Sequence, residues 1–136
     1  SIYVLSEKSS DREAARLARH ANKGDEIAGL DMSHESRDVQ NILIDLTQRE
    51  TKNKSALLAN DILSTMKQDI EVRRDKVSFA GFRVLKAPEI PSVLVEVTYL
   101  SNTREEKRLT QREHQDRIAR SIANGVYNFI DNNRLN

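Results

Sequence analysis

One carboxylate stands inside the most apolar stretch of this sequence. In 92-SVLVEVTYLSN-102, Val93, Leu94, Val95, Val97 and Leu100 make a β-branched run suited to a buried strand, with Glu96 in its middle. An unpaired buried carboxylate costs on the order of several kcal/mol, or it takes up a proton. In an open parallel sheet, ligands bind beyond the carboxyl ends of the strands, and Glu96 falls in the second half of its strand. A partly buried carboxylate there can work as a general acid or base. Pairing with Lys86 or an arginine, or exposure on an edge strand, would account for the same residue without any chemistry.

Other chemistry finds less support. The three histidines are His20 near a helix end, His34 in a loop and His114 in the first turn of a helix. Zinc needs several ligands converging in space, and no H-E-x-x-H or H-x3-H spacing occurs, so all three read as surface residues. The four glycines are not clustered into a phosphate-binding loop, and no G-x-S-x-G elbow is present. Arg73-Arg74, within 67-KQDIEVRRDKV-77, reads as a solvated charged turn. With no cysteine, neither a disulfide framework nor a thiolate metal site is available.

The elements that must position Glu96 follow from patterning. The 136 residues fit one domain, 1–136, with one modest core. Ile2 to Leu5 predicts a strand, and Ser10-x-x-Glu13 opens a helix over about 11–23 that stops at Gly24. Val39, Ile42, Leu43 and Leu46 mark a helix over 36–50. The polar 47-TQRETKNKS-55 then interrupts it, and Ser55 caps a third helix with Leu58, Ile62 and Met66 on its core face. Phe82, Val84 and Leu85 predict a second strand, and Pro91 limits entry to the strand 92–98. Asn102 or Thr103 caps a short helix, and Thr110-x-x-Glu113 opens a last one to about 131. Its stripe is Ile118, Ile122, Val126 and Ile130, with Ala119 and Ala123 allowing close packing on the sheet. The pattern predicts an α/β fold, a mostly parallel open sheet flanked by helices.

Bulk properties exclude some partners. Twenty-two basic and 21 acidic residues give a net charge of +1, against a general nucleic-acid binder. No run approaches the roughly 18 apolar residues of a membrane-spanning helix, and no signal peptide heads the residues given.

The segment 82-FRVLKAPEIPSVLVEVTYLSN-102, followed by EEKRL, resembles the C-terminal part of the zinc-dependent N-acetylmuramoyl-L-alanine amidases of bacterial cell walls. YVLS, AARLA, Asn22-x-x-Asp25 and 42-ILIDLT-47 are similar to the periplasmic branch of that family, so the likeness covers nearly the whole chain. The resemblance implies a peptidoglycan hydrolase of the periplasm, with Zn2+ as cofactor and the glutamate of PSVLVE, Glu96, as catalytic acid–base. The family's zinc ligands lie upstream of the strand that YVLS matches. His20, His34 and His114 fall in other segments, so no metal ligand is carried over to this chain.

The resemblance therefore implies a partial catalytic domain without the family's N-terminal strands. The alternative is a non-catalytic remnant that binds peptidoglycan or a partner. An unpaired sheet edge would then favour a homo-oligomer. About Ala28 to Lys54, the periplasmic branch carries an inserted helix that a LytM-type activator displaces. An ordinary packing helix accounts equally for the apolar face there.

Overall fold

The computed structural model describes residues 1–27, 40–86, 90–99 and 101–134, and the side chains of 1–23, 48–86, 90–99 and 101–133. Strands β1 (Ile2–Leu5), β2 (Ser78–Ala80) and β3 (Leu94–Val95) form one sheet in the order β2-β1-β3. β2 lies parallel to β1, with Tyr3 opposite Ser78, whereas β3 is antiparallel, with Ile2 opposite Val95 and Tyr3 opposite Leu94. The sheet is thus mixed, where the sequence predicts a mostly parallel one. The connections explain this. A parallel pair needs a crossover, and helices α1 (Arg12–Ile27) and α2 (Gln40–Asp69) separate β1 from β2. Between β2 and β3 the described residues hold only the 3-10 turn Arg83–Leu85, and the chain returns antiparallel. The second strand also falls before the predicted one, since Phe82 to Leu85 turn instead of extending.

α2 is one continuous helix of 30 residues, not two. The polar stretch around 47–55 lacks Gly and Pro, so nothing in it breaks a helix. Glu50 and Lys54 pair at 2.6 Å one turn apart, and Ser55 Oγ donates 2.8 Å to the Thr51 carbonyl instead of capping a new start. The predicted face of Val39, Ile42, Leu43 and Leu46 lies outside the described side chains, as does His34. α1 runs on through Gly24 to Ile27, and its cap is Asp11, whose Oδ1 accepts from Ala14 N at 2.9 Å. Ser10 instead bonds Phe79 of β2, accepting from its N–H at 3.1 Å.

Strand alternation divides the core between the two faces of the sheet. Ile2 and Val4 pack on Ala59, Ile62, Leu63 and Met66 of α2. Tyr3 faces the other way, with Ala14 and Ala18 of α1, Ala80, Phe82 and Leu85. Two helices close the domain: the short α3 (Thr103–Leu109), capped by Asn102, and then the long α4 (Arg112–Arg134). α4 packs chiefly on α2. Ile118 is buried, and Ile122 and Val126 reach the α2-side core, as their spacing predicts. Ala119 and Ala123, however, are exposed, and the close approach is made by Gly125 against Ile62 and by Ser121. Ser121 is fully buried, its carbonyl accepting from Thr65 Oγ1 at 2.7 Å and its hydroxyl donating to Asp69 at 2.7 Å.

Candidate active site

Glu96 lies just past β3, opposite Ser1. Its backbone N–H donates to Ser1 O at 2.8 Å, and the Ser1 nitrogen donates to Glu96 O at 2.8 Å. This reciprocal pair continues the β1–β3 ladder by one position and ties the backbone of Glu96 to the sheet. Two residues from Leu94, Glu96 shares the face on which Tyr3 lies, and Tyr3 Oη donates to Glu96 Oε2 at 3.3 Å. The carboxylate is half-buried. Its other oxygen has no hydrogen-bond partner among the described side chains.

A second tyrosine stands beside the same carboxylate. The Tyr99 hydroxyl is buried and has no hydrogen-bond partner among the described residues. Burial first pushes the acidity of both Tyr3 and Tyr99 to higher pH than an ordinary phenol, and Glu96 adds to it, by its charge at Tyr3 and by its side-chain interaction and then its charge at Tyr99. The Arg73 guanidinium lies 4.4 Å from the centre of the Tyr99 ring, within cation–π range. Glu105 holds the backbone just after Glu96: its Oε2 accepts from Tyr99 N and from the Thr98 hydroxyl, each at 3.1 Å. Those two bonds, the Tyr99 amide first, draw the Glu105 carboxyl below the usual range.

Arg73 and Arg74 are not the solvated turn that the sequence suggests. Arg74 pairs with Asp11 at 2.6 Å and with Glu13 at 2.5 Å, its side chain only 20% exposed. Arg73 reaches Glu13 at 3.4 Å. The hydrogen bond from Arg74 is the main reason that the Asp11 carboxyl stays charged to lower pH than usual, and Arg74 is in turn held more firmly protonated. The first turn of α1 is thereby fastened to the segment following α2.

Beside Glu96 opens a cavity of about 410 Å³, lined among others by Tyr99, Arg73, Arg104, Arg117 and His114. His114 is therefore half-buried at the same cavity as Glu96, not a plain surface residue. His20 is exposed on α1. Among the described residues, no three His, Asp or Glu side chains converge to hold a metal ion, so a zinc donor set does not fit these residues. What they can do is hold a carboxylate at the rim of a cavity, with a neutral donor on one oxygen. Patterning exposed Glu96 but not Tyr3, Tyr99 or Arg73, because an aromatic in a strand is ordinary core.

Comparison with known proteins fixes the lineage. The family model described as N-acetylmuramoyl-L-alanine amidase matches residues 2–128. The chain belongs to this amidase family. It is similar to amidase AmiA of Salmonella typhimurium, 34% identical over 96% of the chain and 45% of that protein. Amidase AmiC of Neisseria meningitidis is 35% identical over 98% of the chain and 32% of its own length. AmiA of Escherichia coli K12 is 33% identical over 96% of the chain and 45% of that protein. The chain thus spans less than half the length of these relatives. No helix among the described residues is long and apolar enough to cross a membrane.

Proposed function

We propose that this chain carries the acid–base residue of a periplasmic peptidoglycan hydrolase, and that Glu96 is that residue. The bond cleaved is the amide between the lactyl group of N-acetylmuramic acid and the L-alanine of the stem peptide. The observation that carries this reading is a half-buried carboxylate at a cavity, one oxygen held by a phenol and the other unengaged among the described side chains. Membership of the amidase family supplies the reaction class.

Glu96 accepts a proton from the water that attacks the carbonyl carbon, as the new C–O bond forms. It then delivers that proton to the amine nitrogen as the C–N bond breaks, which returns the carboxylate to its starting form. The zinc that the resemblance implies would polarise that carbonyl. Its ligands would come from outside the described residues.

In a zinc-loaded enzyme carrying this chain, Glu96→Gln is expected to lower turnover by about 10²- to 10⁴-fold, with the fold intact. Release of stem peptide from muropeptides measures this. Unchanged release would remove Glu96 from the mechanism.

A further inference from the structure

Tyr3 is 1% exposed, yet it carries a polar group into the core. A buried hydroxyl is costly unless bonded, and this one is bonded to Glu96 Oε2 at 3.3 Å. Tyr3 occupies the central strand, paired with Ser78 on one side and Leu94 on the other. Its ring lies 5.3 Å from that of Phe82, tilted by 58°, among Ala14 and Ala18 of α1. Glu96, in contrast, is fixed at its backbone but half-exposed at its side chain. A flexible side chain is thus tied to a rigid donor.

The kind of donor matters. A guanidinium in that place would orient the carboxylate but also neutralise it, and so weaken it as a proton acceptor. A phenol orients it and leaves the charge intact. Of the guanidiniums nearby, Arg74 is engaged by Asp11 and Glu13, and Arg73 by Glu13 and the Tyr99 ring, while Arg104 and Arg117 line the cavity without an ion pair to Glu96 among the described residues. Burial and the Glu96 charge both raise the pH at which Tyr3 ionises, so it remains a donor across the range in which Glu96 would work.

We propose that Tyr3 is a positioning residue for Glu96, its phenol fixing one carboxylate oxygen so that the other is presented to the cavity. This rests on Glu96 being the acid–base of the site. Tyr3 touches no substrate; it acts through the glutamate.

The test uses a zinc-loaded enzyme carrying this chain. Tyr3→Phe keeps the ring and removes the donor. The expected result is a kcat lower by about ten- to a hundredfold with KM within about twofold, since a misplaced group costs about that much. The acid limb of the rate profile should also move to higher pH, because a hydrogen bond to the charged carboxylate is lost. A purely packing role would move neither. Wild-type kcat and an unmoved acid limb in Tyr3→Phe, with Glu96→Gln inactive, would overturn the proposal and leave the function standing. An active Glu96→Gln would instead remove the function on which it rests.

A second measurement needs no activity. With Tyr99 and the exposed Tyr127 both changed to Phe, the alkaline titration of Tyr3 is followed by ultraviolet absorbance with and without Glu96→Gln. Loss of the carboxylate should bring that titration down toward the ordinary value of 10.0. No displacement would mean that the two groups do not interact, and would overturn the proposal whatever the stability of Tyr3→Phe.

Discussion

Two tyrosines flank one carboxylate, and their hydroxyls stand in opposite situations. Tyr3 donates to Glu96, whereas the Tyr99 hydroxyl is buried with no partner among the described residues. An unsatisfied buried hydroxyl costs about 1–3 kcal/mol, so the two should respond differently to the same substitution. Tyr99→Phe removes the stranded group and keeps the ring under Arg73, at 4.4 Å from its centre. Its expected effect is a gain of up to about 1 kcal/mol in urea unfolding. A loss of similar size would show that the Tyr99 hydroxyl is engaged in solution. Glu96 could be found in the sequence because a carboxylate among β-branched residues is chemically out of place. Tyr3 could not, since a tyrosine in a strand is ordinary and its partner is 93 residues away.

At the level of elements, the contact between α2 and α4 turns on a single missing methyl group. A Cβ built on Gly125 would lie 2.4 Å from Ile62 Cα and 2.7 Å from Ile62 N. Both atoms are backbone, so no side-chain rotation relieves the clash, and the helices would have to part. In a helix interior Ala is normally better than Gly by about 1 kcal/mol. Here the sign should reverse, because overpacking costs about 1–3 kcal/mol and also strains the Ser121–Thr65–Asp69 bonds one turn away. Gly125→Ala is therefore expected to lower the urea midpoint, while an unchanged or raised midpoint would mean that the helices have room to separate. The i+4 stripe of α4 was legible because it is local. The site of closest approach was not, since only the neighbouring helix distinguishes Gly125 from Ala119 and Ala123. Polarity likewise suggested a break in α2 that its backbone chemistry does not require. The direction of β3 depended on a connection with no helical crossover among its described residues, which strand patterning does not reveal.

The whole molecule carries two kinds of titrating contact, and they limit its stability from opposite sides. Asp11 and Glu105 hold their charge to lower pH than their ordinary values of 3.8 and 4.5. The unfolded chain therefore binds protons more readily than the native one in that range. Their contribution is complete above the ordinary values and is lost as pH falls through the lowered native ones. Tyr3 and Tyr99 are shifted upward from 10.0, so the native state keeps protons that the unfolded state has released. Their contribution is complete below 10.0 and declines as pH rises toward the raised native values. Stability should thus form a plateau with a shoulder at each end. The shoulders differ in setting. Asp11 faces a charged partner, Arg74, in a partly exposed ion pair, whereas Glu105 accepts from the neutral Tyr99 amide and Thr98 hydroxyl, and the phenols lie against the sheet beside Glu96. Thermal midpoints measured from acid to alkaline pH should show an acid shoulder of which only the Asp11 part weakens in about 1 M salt, and an alkaline one that persists. The alkaline shoulder should flatten when Tyr3 or Tyr99 is changed to Phe. If it is unaltered by both substitutions, the phenols beside Glu96 are not what limits the fold at high pH.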